Sequence, residues 1–317
     1  MFKILVITDD KQSSINQCDS LVRELKRSKK KINVKYMKVT GRFIKYSPSI
    51  FIYYLLKLES FLFRKKFELD VDLIISCGRI SAPYNLIFKK VNNCTNCHIL
   101  NPYIFNRKFN KIIIPEYDLK KFSNKENIIT TYGSLVNLDK LKPKKNDLHK
   151  IKELVDNKLK NILVLVGGDG KSSVITYSDL EKVLIKLNKN KIRKQIIFCF
   201  SRRTSKELQN KIIENKNGNS LVFPNNDFNP YWELLYISDY NFVTGDSISM
   251  TSDSLSSGKP TYVIPIAKVK NKIKVFQEGL IKKKVTRIFD GRLENWKYSK
   301  FNESHKVGVI LKNYLKL

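Results

Sequence analysis

The chain has 317 residues, 42% of them hydrophobic, which is enough for two cores of ordinary size and excludes a disordered chain. Lys and Arg number 60 against 29 Asp and Glu, a formal net charge of +31. Nucleic acid, an anionic membrane surface, or Lys scattered over exposed helix faces in a Lys-, Asn- and Ile-rich chain would each account for that charge.

The N-terminal run Met1–Asp9 is too short for a signal peptide and ends in carboxylates, and no stretch reaches the length of a membrane span. Five Cys make an odd count without a disulfide framework, so a reducing cytosol is expected. Short β-branched runs then alternate with amphipathic stretches, the rhythm of parallel sheets covered by helices. Strands are expected at Lys3–Thr8, Asn33–Val39, Leu73–Ser76, His98–Leu100, Lys111–Ile114 and Ile128–Thr131. Helices are expected at Ser14–Lys29 and Pro83–Val91. Ile50–Leu56, followed by Phe61-Leu62-Phe63-Arg64-Lys65-Lys66, reads as an aromatic-rich helix with a basic flank, either packed in a core or lying on a membrane interface. The Lys-rich segment Leu141–Asn146, with Pro143, reads as a linker. It divides the chain into an α/β domain over 1–143 and a second over 144–317.

In the second half, strands are expected at Asn161–Val166, Ile196–Phe200, Leu221–Phe223, Tyr240–Val243 and Thr261–Ile264. Helices are expected from Ser178 (with Glu181 as a capping box), from Thr204 (with Glu207), over Tyr231–Ile237 with Asn229 as cap, over Ser247–Ser256, and over Asn302–Lys316. The fold class is two consecutive Rossmann-like, doubly wound domains.

Ligands of open parallel sheets gather beyond the carboxyl ends of the strands. Three such turns in the second half suit phosphate. Gly167-Gly168-Asp169-Gly170-Lys171 offers glycines for close backbone approach and a cation, although its spacing is neither a P-loop nor a GxGxxG fingerprint. Ser201-Arg202-Arg203-Thr204 offers guanidinium groups at a helix start. Thr244-Gly245-Asp246-Ser247-Ile248-Ser249-Met250 opens a helix with small hydroxyl residues, and Asp253 lies on the same helix face as Asp246 and Ser249, placed for ribose hydroxyls. A tight turn or a simple cap explains each of these motifs as well. In the first half, Asp9, Asp10 and Glu116 follow strands and are candidates for a general base. Cys94-Thr95-Asn96-Cys97-His98 has haem-attachment spacing, but one CxxC pair without further ligands calls for no metal.

In order along the chain, Thr8-Asp9, Ser76-Cys77-Gly78-Arg79, Pro115-Glu116-Tyr117-Asp118, Thr131-Tyr132-Gly133, Gly167-Gly168, Ser201-Arg202-Arg203-Thr204, Asn229-Pro230-Tyr231, Thr244–Met250 and Gly258-Lys259-Pro260 resemble the mitochondrial fission factor (elongated-mitochondria) family, which has many bacterial members. Two positions depart from it: Asp10 stands where a Gly is usual, and Tyr117 where a His is usual. That family is similar in turn to B-type, two-Rossmann glycosyltransferases. The likeness implies two domains facing across a cleft, a nucleotide-sugar in the second domain with Asp253 on ribose and the Gly245–Ser249 amides on diphosphate, an acceptor in the first, and a last helix about 302–316 crossing back. It implies no cofactor, since the nucleotide-sugar is a substrate. A non-catalytic adaptor keeping the fold is the alternative. The expected location is cytoplasmic, with peripheral attachment to the inner face of a membrane. Nucleic acid has no recognisable module in this sequence.

Overall fold

A computed structural model describes residues 1–123, 125–136, 138–170 and 172–317. The chain divides into two compact units, Met1–Asn137 with Asn302–Leu317, and Leu138–Phe301.

The first unit is built from β1 (Phe2–Thr8), α1 (Gln12–Lys26), β2 (Ile32–Lys38), α2 (Arg42–Tyr46), α3 (Ser49–Leu62), β3 (Leu73–Cys77), α4 (Ala82–Asn92), β4 (Thr95–Ile99), β5 (Lys111–Pro115) and β6 (Ile128–Thr131). Its six strands are parallel, in the order β2-β1-β3-β4-β5-β6. A parallel sheet is covered on both faces, so its strands read as unbroken apolar runs. In β1, Leu5 and Ile7 enter one core while Ile4 and Val6 enter the other. Cys18, Leu21, Val22 and Leu25 of α1 fill the second core at helical spacing. Each buried Leu or Val contributes about 1.5–3 kcal/mol.

The second unit is built from α5 (Lys145–Leu154), β7 (Lys160–Val166), β8 (Ser173–Val174), α6 (Tyr177–Lys189), β9 (Lys194–Phe200), α7 (Lys206–Asn215), β10 (Leu221–Phe223), α8 (Tyr231–Ile237), β11 (Tyr240–Thr244), α9 (Ile248–Ser256), β12 (Thr261–Ile264), β13 (Lys268–Val269) and α10 (Asn271–Lys282). Its main sheet is parallel in the order β10-β9-β7-β11-β12, with β8 and β13 pairing antiparallel apart from it. Ile162, Val164 and Val166 of β7 face one core, Leu163 and Leu165 the other.

The last helix, α11 (Glu303–Leu315), belongs to the first unit and packs on α1. Gly308 permits this approach, because a Cβ there would lie 2.6 Å from Glu24 Cβ. Ser304 donates to the Val136 carbonyl (2.7 Å), and Glu303 accepts from the Tyr132 amide (3.1 Å).

Three expected caps fall elsewhere. α6 is capped two residues early, by Thr176 in place of Ser178, and the Thr176 amide donates to the Asp179 carboxylate at 2.8 Å. α7 is capped by Ser205, whose Oγ accepts from the Leu208 amide, because the Thr204 hydroxyl is turned inward to the carbonyl of Gly167. α8 starts after Pro230, not Asn229. The Cys94–His98 motif runs into β4, where Cys97 and His98 point to opposite faces: Cys97 enters a core, and His98 packs on Phe109 and bonds Ser76 through Nδ1 at 2.7 Å. Among the described residues no cluster of three His, Cys, Asp or Glu could hold a metal.

Candidate functional site

The chain leaves β7 for β9 and β10 on one side, then returns to β11 and β12 on the other. The direction reverses between β7 and β11, which makes this the switch point of the sheet, where a crevice opens beyond the strand ends. Gly167-Gly168 follow β7 and Thr244–Ser247 follow β11, so two of the three predicted phosphate turns flank that point. Ser201–Thr204 follow β9, the next strand out.

Asp246 ties the three turns together. It is buried, and its Oδ1 accepts from Thr244 Oγ1 at 2.7 Å. Its Oδ2 accepts from the Gly168 amide at 3.3 Å and from Arg203 Nη2 at 3.2 Å. Thr244 Oγ1 in turn accepts from the Gly167 amide at 2.8 Å. Arg203 also donates to the Gly168 carbonyl at 3.0 Å, and the Arg203 carbonyl accepts from the Asp169 amide at 3.2 Å. Thr204 Oγ1 donates toward the Gly167 carbonyl at 2.6 Å and lies 3.0 Å from that of Val166. Burial pushes the Asp246 carboxyl above its usual range, while the Thr244 hydroxyl and the Arg203 charge pull it back.

This corrects the sequence-based role of the glycines. Gly167 and Gly168 are not at positive φ. A Cβ on Gly167 would lie 2.1 Å from Asp246 Oδ1, and one on Gly168 would lie 2.0 Å from the Arg203 carbonyl. Their space is taken by the protein's own carboxylate and backbone. Asp246 also precedes α9 and turns toward β7, so it does not share a helix face with Asp253.

Gly245 donates to the Ile264 carbonyl at 2.8 Å, with room for a Cβ only 3.1 Å from that oxygen. Ser247 caps α9, accepting from the Met250 amide at 3.2 Å. Ser249 and Met250 stand half-buried in the first turn, where the helix field is positive. Asp253, one turn further, accepts from the Tyr231 hydroxyl at 3.0 Å. Burial and the Asp253 charge hold that phenol well above its ordinary pKa, so it stays a donor. Buried Gln277 of α10 donates to Thr251 Oγ1 at 3.0 Å and lies 3.5 Å from the Gly245 carbonyl, bracing the start of α9. Tyr231, Thr204 and Gln277 had no sequence signal as supports of this turn. Arg202 is exposed, and the Arg203 side chain is 48% exposed, so both can meet an anion. Lys171 lies outside the described residues.

The first unit has its own switch point, between β1 and β3. Asp9 sits there, buried, accepting from the Lys11 amide at 3.2 Å and ion-paired with Lys11 Nζ at 3.3 Å. Gly78, at φ +86°, stands beside it, so that a Cβ would be 3.6 Å from Asp9 Oδ2. Asp10 is exposed. Glu116 is exposed after β5, three strand spacings from β1, or about 14 Å at the level of the sheet. The three carboxylates therefore do not converge at the strand ends.

The family model for mitochondrial fission ELM1 matches residues 14–315. The chain belongs to this family. An uncharacterised protein of Rickettsia prowazekii is 27% identical, with 99% of each chain covered. The mitochondrial fission protein ELM1 of Arabidopsis thaliana is 26% identical over 80% of this chain and 66% of its own. Among solved structures, the UDP-GlcNAc 2-epimerase of Methanocaldococcus jannaschii aligns with a TM-score of 0.60 at 13% identity, covering 98% of this chain and 100% of that one. The UDP-GlcNAc 2-epimerase of Neisseria meningitidis, solved with UDP-GlcNAc, gives 0.58 at 14% over all of both chains. MurG of Acinetobacter baumannii gives 0.55 at 12%, covering 99% and 92%. The fold of the ELM1 family member described here is thus that of glycosyltransferases and UDP-sugar epimerases, two Rossmann-like units with parallel sheets.

Proposed function

We propose that the second unit binds a nucleotide-sugar at the carboxyl end of its sheet and that the protein transfers the sugar to an acceptor hydroxyl. The observation that carries this is the Asp246 network. The buried Asp246 carboxylate and the Gly168 carbonyl hold the two terminal nitrogens of Arg203 at the switch point, beside the N-terminus of α9, while the side chain as a whole stays 48% exposed. Such an anchored cation and a helix N-terminus form a preorganised seat for diphosphate. Asp253, oriented by Tyr231, is the group for ribose hydroxyls. Structures of similar fold bind UDP-GlcNAc and UDP, which agrees with this donor class.

In the transfer, the bond from sugar C1 to the diphosphate oxygen breaks and one from C1 to the acceptor oxygen forms. Arg202, Arg203 and the α9 N-terminus stabilise the departing charge. The acceptor proton passes to a carboxylate, for which Asp9 is our assignment, as it sits at the first unit's switch point. The test is a melting-shift screen with UDP and UDP-sugars. Ligand at 100 times its Kd adds about 2.7 kcal/mol of stability. Wild type should be stabilised, and Arg202→Ala and Asp253→Ala should not. Equal stabilisation of those variants would remove the assignment.

A second reading, a non-catalytic nucleotide-binding adaptor, is favoured by the ion pair that engages Asp9 and by the separate place of Glu116. It predicts the same melting shift with no sugar transfer.

A further inference from the structure

The exposed apolar side chains of this protein are not scattered. Among the described residues, ten of the twenty-five exposed large hydrophobics fall between Phe43 and Phe63. Single exposed hydrophobics are ordinary, but a contiguous patch marks a surface that something covers. α3 explains the clustering. Ile52, Tyr53 and Leu56 turn inward to the core beneath α4. Ile50, Tyr54, Leu58 and Leu62 recur every fourth residue on the outside, with Phe51 and Leu55 beside them. A helix that is apolar on both faces is either buried or meets a membrane. At its C-terminal end, Phe61, Leu62 and the capping Phe63 are 83%, 61% and 62% exposed.

Charge selects the occupant. Between Arg42 and Glu68 there are six basic residues and two acidic ones. Arg64, Lys65 and Lys66 form one turn directly after the apolar tip. Glu59 pairs with Lys66, and Glu68 pairs with Arg64 at 2.9 Å. Lys57, Lys65, Lys45 and Arg42 remain as exposed cations on this flank. An open groove of about 580 Å³ is lined by Tyr54, Leu58 and Phe61 together with Lys57, Arg64 and Lys90. A second, of about 770 Å³, is lined by Phe61–Phe63 and Arg64–Lys66, with Glu59. Each groove pairs apolar walls with cations, the arrangement that accommodates acyl chains and the phosphates above them. A second copy of this chain would set the basic turn against itself in a two-fold interface.

We infer that α3 and the Arg64–Lys66 turn form a docking surface for an anionic lipid bilayer. α3 is 14 residues long, about 21 Å, too short for a hydrocarbon core of about 30 Å. It lies along the interface with Phe61–Phe63 as the deepest side chains. Among the described residues no helix is long and apolar enough to cross a membrane. This surface belongs to the first unit, and the proposed nucleotide site to the second.

The test uses the whole chain and sedimentation with two kinds of vesicle, phosphatidylcholine alone and phosphatidylcholine with about one third phosphatidylglycerol. Binding should need the anionic lipid and weaken with salt. Leu58→Ser/Phe61→Ser/Leu62→Ser should lower it at least about 10-fold. Arg64→Gln/Lys65→Gln/Lys66→Gln should lower it on the order of 100-fold. All six positions are exposed or partly so, hence both variants should melt as wild type and keep any stabilisation by UDP. Equal binding to neutral vesicles, or undiminished binding by either variant, overturns the inference. So does a dimer that the Ser variant dissolves while wild type ignores both vesicles.

Discussion

Replacing Gly167 by Ala tests the Asp246 network most sharply. The new Cβ would lie 2.1 Å and 2.3 Å from the two carboxylate oxygens of Asp246 and 2.5 Å from its Cγ. Ordinary non-bonded contact is about 3.5 Å, so the carboxylate must move by more than about 1 Å. Asp246 cannot move freely, because Thr244, Gly168 and Arg203 hold it. Overpacking costs about 1–3 kcal/mol. Weakened hydrogen bonds to the buried charge add about 1.5–3 kcal/mol, with little counted for the half-exposed Arg203. The total is roughly 2.5–6 kcal/mol, or on the order of 10 °C in the melting of a unit this size. On an Asp246→Ala background the obstruction is gone, and Gly167→Ala should add less than about 1 kcal/mol. Denaturant or thermal melts of the four proteins supply the cycle. A drop under about 2 °C for the single variant, or additive effects in the cycle, would refute the network.

Burial raises the Asp246 pKa, so this ionisation opposes folding. Relative to Asp246→Asn, wild type should lose stability as pH rises from the unfolded carboxyl value, about 4, through the raised folded one, and a pH-independent difference would contradict this. Buried His98 has its pKa pushed down to about 3, so it folds neutral. Its contribution is intact above about 6.5 and is lost as pH falls toward 3, and His98→Gln should flatten that acid limb in melts of the first unit. Thr204→Val removes the hydroxyl bonded to the Gly167 carbonyl and should cost about 1–2 kcal/mol in denaturant melts. Tyr231→Phe removes the Tyr231 hydroxyl bond to Asp253 and should weaken UDP binding several-fold by calorimetry, with little change in the melt of the ligand-free protein.

The strands of both sheets were legible because parallel sheets demand unbroken β-branched runs, as in Ile162–Val166. β4 was read short because Asn96 breaks its apolar pattern, and only the structure shows Asn96 satisfied by Asn85 at 2.6 Å and by Asn110. α5 escaped notice since Ile151 is its one buried residue. α10 carries Ile273, Phe276 and Leu280 at helical spacing, a signal hidden among its lysines. At the site, the turns could be placed from strand ends and glycines. Their mutual bonding could not, because Gly167 and Asp246 meet across 79 positions that no local pattern links. The glycines announced a close approach, and the approaching group proved to be internal.

In the proposed function the Arg203–Asp246 pair presents a cation to a nucleoside diphosphate. Calorimetric titration of UDP into wild type and Arg203→Ala tests it directly. Saturable binding by wild type, weakened at least about 10-fold in the variant, is the expected result, since a charge-assisted contact contributes about 1.5–3 kcal/mol. Equal affinity in the two proteins, or no heat with wild type, would contradict it.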